Sequence, residues 1–135
     1  MSLQKEQIEH INLVNWFNYN FPELSDDFHH FANERKCSIQ QGRTLKRMGV
    51  KKGVADFFLA IPIPSTGKAG LWIELKVGKN KPSQEQIDFC KRKIWRNYDF
   101  AFAYGAEEAK EIILLYLESY LSNRNGIDLF SCVKI

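Results

Sequence analysis

The stretch Leu71-Trp72-Ile73-Glu74-Leu75-Lys76-Val77 decides how this chain reads. Leu71, Ile73, Leu75 and Val77 alternate with Trp72, Glu74 and Lys76, the period-two pattern of a strand. Glu74 and Lys76 are two residues apart, so both side chains emerge from one sheet face, which Trp72 shares. On its N-terminal side, Gly53 precedes a largely apolar run from about Val54 to Ile61 that reads as a second strand and carries one acid, Asp56. Pro62-Ile63-Pro64 closes that strand, and Ser65 to Gly70 reads as a hairpin connection. Paired in this way, the two strands set Asp56 beside Glu74. On the C-terminal side, the loop Gly78 to Pro82 leads to Ser83 and Gln86, a capping-box pattern, with Ile87, Cys90 and Ile94 following at helical spacing.

The outer segments are read from the same periodicities. Leu3 to Tyr19 is expected to be helical, with Ile8, Ile11, Val14 or Asn15, Trp16 and Phe17 on its apolar side and Lys5, Glu6, Glu9 and His10 on its polar side. Asn20, Pro22 and Ser25 mark a turn, and His29 to Asn33 reads as a short strand. Ser38 to Met48 forms a basic helix or loop ended by Gly49. Asp99 to Tyr104 is an aromatic-rich strand bounded by Gly105. Ala106, Ala109, Ile113, Tyr116, Leu117 and Tyr120 share one face of a final helix, followed by a turn at Asn123–Gly126. The last residues carry an ambiguous pattern that allows a short strand. The order helix, strand, strand, strand, helix, strand, helix specifies a mixed α/β sheet flanked by helices.

Composition bounds the function. A chain of 135 residues, 44% hydrophobic and 13% aromatic, reads as one domain with a real core over 1–135. Cys37, Cys90 and Cys132 are odd in number, far apart and without zinc-ligand spacing, so a disulfide framework is not expected and a reducing cytoplasm is. No run reaches the roughly twenty apolar residues that span a bilayer. Neither GxGxxG nor GxxxxGK[ST] occurs, which removes the usual fingerprints of dinucleotide and Walker-type ATP binding. The net charge of +3 is unevenly spread. Arg35, Lys36, Arg43, Lys46, Arg47, Lys51 and Lys52 crowd one segment, and Lys76, Lys79, Lys81, Lys91, Arg92, Lys93 and Arg96 another. Two such stretches focus positive potential and attract a polyanion.

Two carboxylates at Asp56 and Glu74 repel each other unless a cation lies between them, and oxygen-rich coordination suits Mg²⁺. A metal there would polarise a phosphate and acidify a water. Lys76 would orient or deprotonate that water, or stabilise phosphoryl charge. Gln86 has two competing roles, as a hydrogen-bond donor to water or phosphate and as the N3 member of the cap with Ser83. Trp72 either stacks on a base or packs beneath a helix, with packing the expectation.

Phe28-His29-His30-Phe31-Ala32-Asn33-Glu34, Gly42, Gly49, Lys52-Gly53-Val54-Ala55-Asp56, Gly70 through Lys76, and Lys81-Pro82-Ser83-Gln84-Glu85-Gln86 together resemble the VRR-NUC family of PD-(D/E)XK nucleases. The resemblance runs from about residue 28 to residue 121. It implies a restriction-endonuclease-like core and an active site of Asp56, Glu74 and Lys76, with the family glutamine at Gln86. It also implies a helical glutamate, at Glu6 or else Glu9, and metal ligands among Asp56, Glu74 and Leu75. The usual proline before the aspartate is Ala55 here, a departure that supplies no side-chain ligand either way. Arg43, Lys46, Arg47, Lys51, Lys52, Lys79 and Lys81 are the expected phosphate contacts. His30 and Glu34 are expected to be structural or to touch DNA rather than to act in catalysis.

The function so implied is a Mg²⁺-dependent DNA endonuclease, with Mn²⁺ as a substitute. It is expected in a bacterial cell or phage-infected host, working as a homodimer on branched DNA in the manner of a Holliday-junction resolvase. Two alternatives are a sequence-preferring or nicking endonuclease and a non-catalytic nucleic-acid-binding protein on a nuclease scaffold.

Overall fold

The alternating segment forms strand β3 (Leu71–Lys76), buried along its whole length because both faces are covered. In the computed structural model, which describes residues 4–32 and 38–126, β3 is flanked by β2 (Phe57–Leu59) and β4 (Asp99–Tyr104), with β1 (Phe28–His30) beyond β2. β1 and β2 are antiparallel, β2 and β3 are antiparallel, and β3 and β4 are parallel. The parallel pair needs a crossover, and α3 (Gln84–Trp95) supplies it. The other helices are α1 (Lys5–Asn20), α2 (Ile39–Arg47), α4 (Ala106–Tyr116) and α5 (Glu118–Gly126), with a 3-10 turn at Pro22–Asp27. Asn33, Glu34, Arg35, Lys36, Cys37, Cys132 and the C-terminal segment lie outside the described residues.

One sheet face carries the main core. Leu71, Ile73 and Leu75 of β3 pack with Leu13 and Phe17 of α1 and with Ala106, Ala109 and Ile113 of α4. The opposite face carries Trp72, which stacks on Phe58 with ring centroids 4.3 Å apart and meets Phe89 of α3 edge-on at 5.0 Å. Trp72 is therefore packed beneath a helix, and Lys93 lies over its ring at 5.0 Å. Glu74 and Lys76 share that face and are buried with it.

Three expectations are corrected. The expected strand from Val54 to Ile61 is only Phe57–Leu59. Residues 54–56 lie outside the β2–β3 ladder, and Gly53 before them, at φ +80°, packs against the backbone of Glu85 in the first turn of α3. The final helix breaks at Leu117, and the turn expected at Asn123–Gly126 is part of α5. Leu117 and Tyr120 are both buried, with the Tyr120 hydroxyl donating to Glu23 at 2.9 Å. In α1 the buried residues are Leu13 and Phe17, whereas Ile8 and Ile11 are exposed. Extended towards the N-terminus at helical spacing, the buried stripe runs through His10 and Glu6.

A Cβ at Gly53 would lie 2.7 Å from the carbonyl carbon and oxygen of Glu85, in a backbone conformation that L side chains rarely adopt. Gly53→Ala is expected to lower stability by about 2 kcal/mol in urea unfolding. A loss no larger than that of an Ala substitution at an exposed glycine would show that this contact does not hold the loop.

Candidate active site

Asp56 directly precedes β2. The last β2–β3 pair is Phe57 with Ile73, and beyond it the Asp56 side chain reaches back to β3. Its carboxylate is buried, and Oδ2 accepts a hydrogen bond from the Leu75 amide at 2.9 Å. Its own carbonyl accepts from the Phe31 amide at 2.7 Å. Backbone and side chain are thus fixed from opposite neighbours. Leu75, expected as a metal ligand, has its side chain in the core and meets Asp56 through its backbone amide.

Gln86 organises the other half. Its Oε1 accepts from the Lys76 ammonium at 2.5 Å and from the Ser83 amide at 3.0 Å, while its Nε2 donates to Glu74 Oε2 at 3.2 Å. Ser83 Oγ completes the capping box by accepting from the Gln86 amide at 3.2 Å. The two roles expected to compete are met at once, because the amide oxygen serves the cap and the lysine while the amide nitrogen serves the glutamate. Lys76 Nζ lies 3.8 Å from Glu74 Oε2, so the buried glutamate has both a charge partner and a hydrogen bond.

α1 adds the residues that the strands lack. His10 Nε2 lies 3.7 Å from Asp56 Oδ2 and 3.9 Å from Glu6 Oε1. One ligand atom from each of Glu6, His10 and Asp56 falls within 4.8 Å of the others, a donor set that suits a divalent ion. Glu74 is not part of that group. Glu9, the other glutamate considered, accepts a hydrogen bond from the Ala106 amide at 2.9 Å. It thereby caps α4, whose N-cap, Gly105, has no side chain to do so. His30 of β1 meets His10 with ring centroids 4.9 Å apart. Burial, and then the neighbouring His10, holds its pKa below the ordinary histidine value against the raising effect of Asp56.

Asp56, with His30, Phe31 and Ala32, forms a wall between two clefts. One, of about 180 Å³, includes Glu6 and His10. The other, of about 920 Å³, includes Glu74 and Gln86 together with Lys46, Lys51 and Lys52. Arg43 and Arg47 on α2 are exposed and do not line it, and the same holds for Lys79 and Lys81 in the loop after β3.

A solved structure described as a "VRR_NUC domain protein" matches with a TM-score of 0.73 at 23% identity, over 87% of this chain and 92% of that one. This chain has the VRR_NUC domain fold. Comparison with family models and with curated proteins gives no match. Within this fold Asp56, Glu74, Lys76 and Gln86 lie near one another, and of the two α1 glutamates Glu6 is the one grouped with Asp56. Sequence reasoning missed His10. The signal was available in its spacing from Glu6, one helical turn, on a face continuous with Leu13 and Phe17.

Gln86→Leu removes three side-chain hydrogen bonds at nearly constant volume. It is expected to cost about 2–3 kcal/mol in urea unfolding, against about 1 kcal/mol for Ser83→Ala, which removes only a cap. Equal losses would show that Gln86 serves the cap and nothing more.

Proposed function

We propose that this chain is a member of the VRR-NUC family and a divalent-metal-dependent nuclease that hydrolyses DNA phosphodiester bonds. The observation that carries the proposal is the meeting at Asp56 of a metal-suited group, Glu6 and His10, with a buried Glu74–Gln86–Lys76 network in a nuclease-like fold.

The residues divide the work by chemistry. Asp56 is held rigid by the Leu75 amide, so its carboxylate has little freedom to lose when it takes a ligand. Asp56 and Glu6 would hold the ion, with the Leu75 backbone beside Asp56, and Glu74 offers a second carboxylate in the adjoining cleft. When bound, a divalent ion supplies Lewis-acid stabilisation of phosphoryl charge and a more acidic water. Oxygen donors alone would select Mg²⁺, with Mn²⁺ as a substitute. Lys76 brings a positive charge to the same cleft, where it orients the attacking water or stabilises charge on the phosphoryl oxygens. Gln86 aims both Glu74 and Lys76, and the N-terminus of α3 beside it favours an anion. Lys46, Lys51 and Lys52 hold the DNA backbone along the larger cleft, with Arg43, Arg47, Lys79 and Lys81 as outer contacts. Paired cuts in a four-way junction need two sites related by a twofold axis, so the proposed working form on branched DNA is a homodimer.

The direct test incubates labelled four-way junction, flap, duplex and single-stranded DNA with the protein in Mg²⁺, Mn²⁺ or EDTA. Metal-dependent cutting is expected, with symmetric incisions in the junction. Asp56→Ala and Lys76→Ala should each reduce the rate by about a hundredfold or more. Tight DNA binding without cutting in any metal would replace the nuclease with a binding module.

A second prediction concerns the basic cleft. Lys51→Ala/Lys52→Ala should weaken binding to all DNA forms alike and reduce the slope of log affinity against log salt by about 2. An unchanged slope would place the DNA elsewhere on the surface.

A further inference from the structure

We propose that His10 is a direct ligand of the bound ion and makes the site favour first-row transition ions, with Mn²⁺ as their probe, over Mg²⁺. The proposal takes from the functional reading above only the presence of a divalent ion, and it adds that ion's identity and the residue that selects it.

The geometry suits coordination of one ion. An ion with bonds of about 2.0–2.2 Å sets adjacent ligand atoms about 3 Å apart and opposed ones about 4 Å apart. His10 Nε2 stands 3.7 Å from Asp56 Oδ2 and 3.9 Å from Glu6 Oε1, so small rotations bring all three to bonding distance. The imidazole is held in place. Its ring meets Phe57 edge-on at 5.3 Å and His30 edge-on at 4.9 Å. Its helix is anchored by the buried Leu13 and Phe17 on the same face. Side-chain exposure is 15% at His10 and 6% at Asp56 but 34% at Glu6, so the group opens to solvent at its glutamate end, where an ion can enter.

The donor set decides the preference. Mg²⁺ keeps its waters and takes oxygen ligands, so an imidazole nitrogen adds little to its binding. First-row transition ions gain from nitrogen donors, and the gain rises along the row from Mn²⁺. A site built only from Asp56 and Glu74 would be indifferent to this distinction. Adding His10 removes the indifference.

The test is metal binding by the full chain without DNA, measured by titration calorimetry for Mn²⁺ and for Mg²⁺, with pulsed electron paramagnetic resonance on the Mn²⁺ form. Wild type should bind Mn²⁺ at least about tenfold more tightly than Mg²⁺. His10→Ala should lose about tenfold or more of its Mn²⁺ affinity while its Mg²⁺ affinity changes by less than about threefold. The Mn²⁺ spectrum of wild type should show coupling to a directly bound nitrogen, retained in His30→Ala and absent in His10→Ala. The wild-type spectrum is decisive without any variant: no nitrogen coupling, or no Mn²⁺ binding, overturns the proposal. Coupling that survives in His10→Ala, or equal losses for the two metals, overturns it as well. Nitrogen coupling that depends on His10, in a protein that cuts no DNA, would uphold this site while removing the nuclease reading.

Discussion

A single buried hydrogen bond, from the Leu75 amide to the Asp56 carboxylate, governs the geometry on which the rest depends. A carboxylate in so dry a position is costly unless it is bonded, and β3 supplies the bond from its own backbone. Asp56 is consequently referred to the central strand rather than to a loop. The Phe31 amide fixes its carbonyl from the other side, and Gly53 fits the preceding turn against α3. Once Asp56 is set, the face of α1 that anchors the core with Leu13 and Phe17 delivers His10 and Glu6 to it without further machinery.

Gln86 plays the corresponding part for the second half of the site. Buried Glu74 and Lys76 would each be expensive alone, and a buried pair stabilises a fold only when its remaining hydrogen-bonding capacity is used. One amide does this, and the capping box at Ser83 holds the amide in turn. The start of a helix and the orientation of a charged pair are thus the same structural event.

The parts of the fold legible in the sequence were those set by local pattern. The alternation of Leu71–Val77 marked β3, the Ser83–Gln86 spacing marked α3, and the aromatic run before Gly105 marked β4 with its observed bounds. The errors arose where tertiary contacts override pattern. Val54–Asp56 looks like strand, yet it lies outside the β2–β3 ladder, next to Gly53 and its contact with α3. Ile8 and Ile11 looked like the buried side of α1, yet the sheet takes the stripe of Leu13 and Phe17 instead. That choice of face hid His10, which reads as one more polar residue until the helix is rotated into its packed position. Lys46, Lys51 and Lys52 reach the cleft, while Arg43, Arg47, Lys79 and Lys81 do not, a division that charge alone does not encode.

The account centres on Asp56 as the pivot of a metal site, and anomalous diffraction from crystals soaked in Mn²⁺ tests that most directly. It predicts an anomalous peak within bonding distance of the Asp56 carboxylate, on the side facing Glu6 and His10. Mn²⁺ bound only elsewhere, or absent from Asp56 at concentrations that saturate binding in solution, would contradict it.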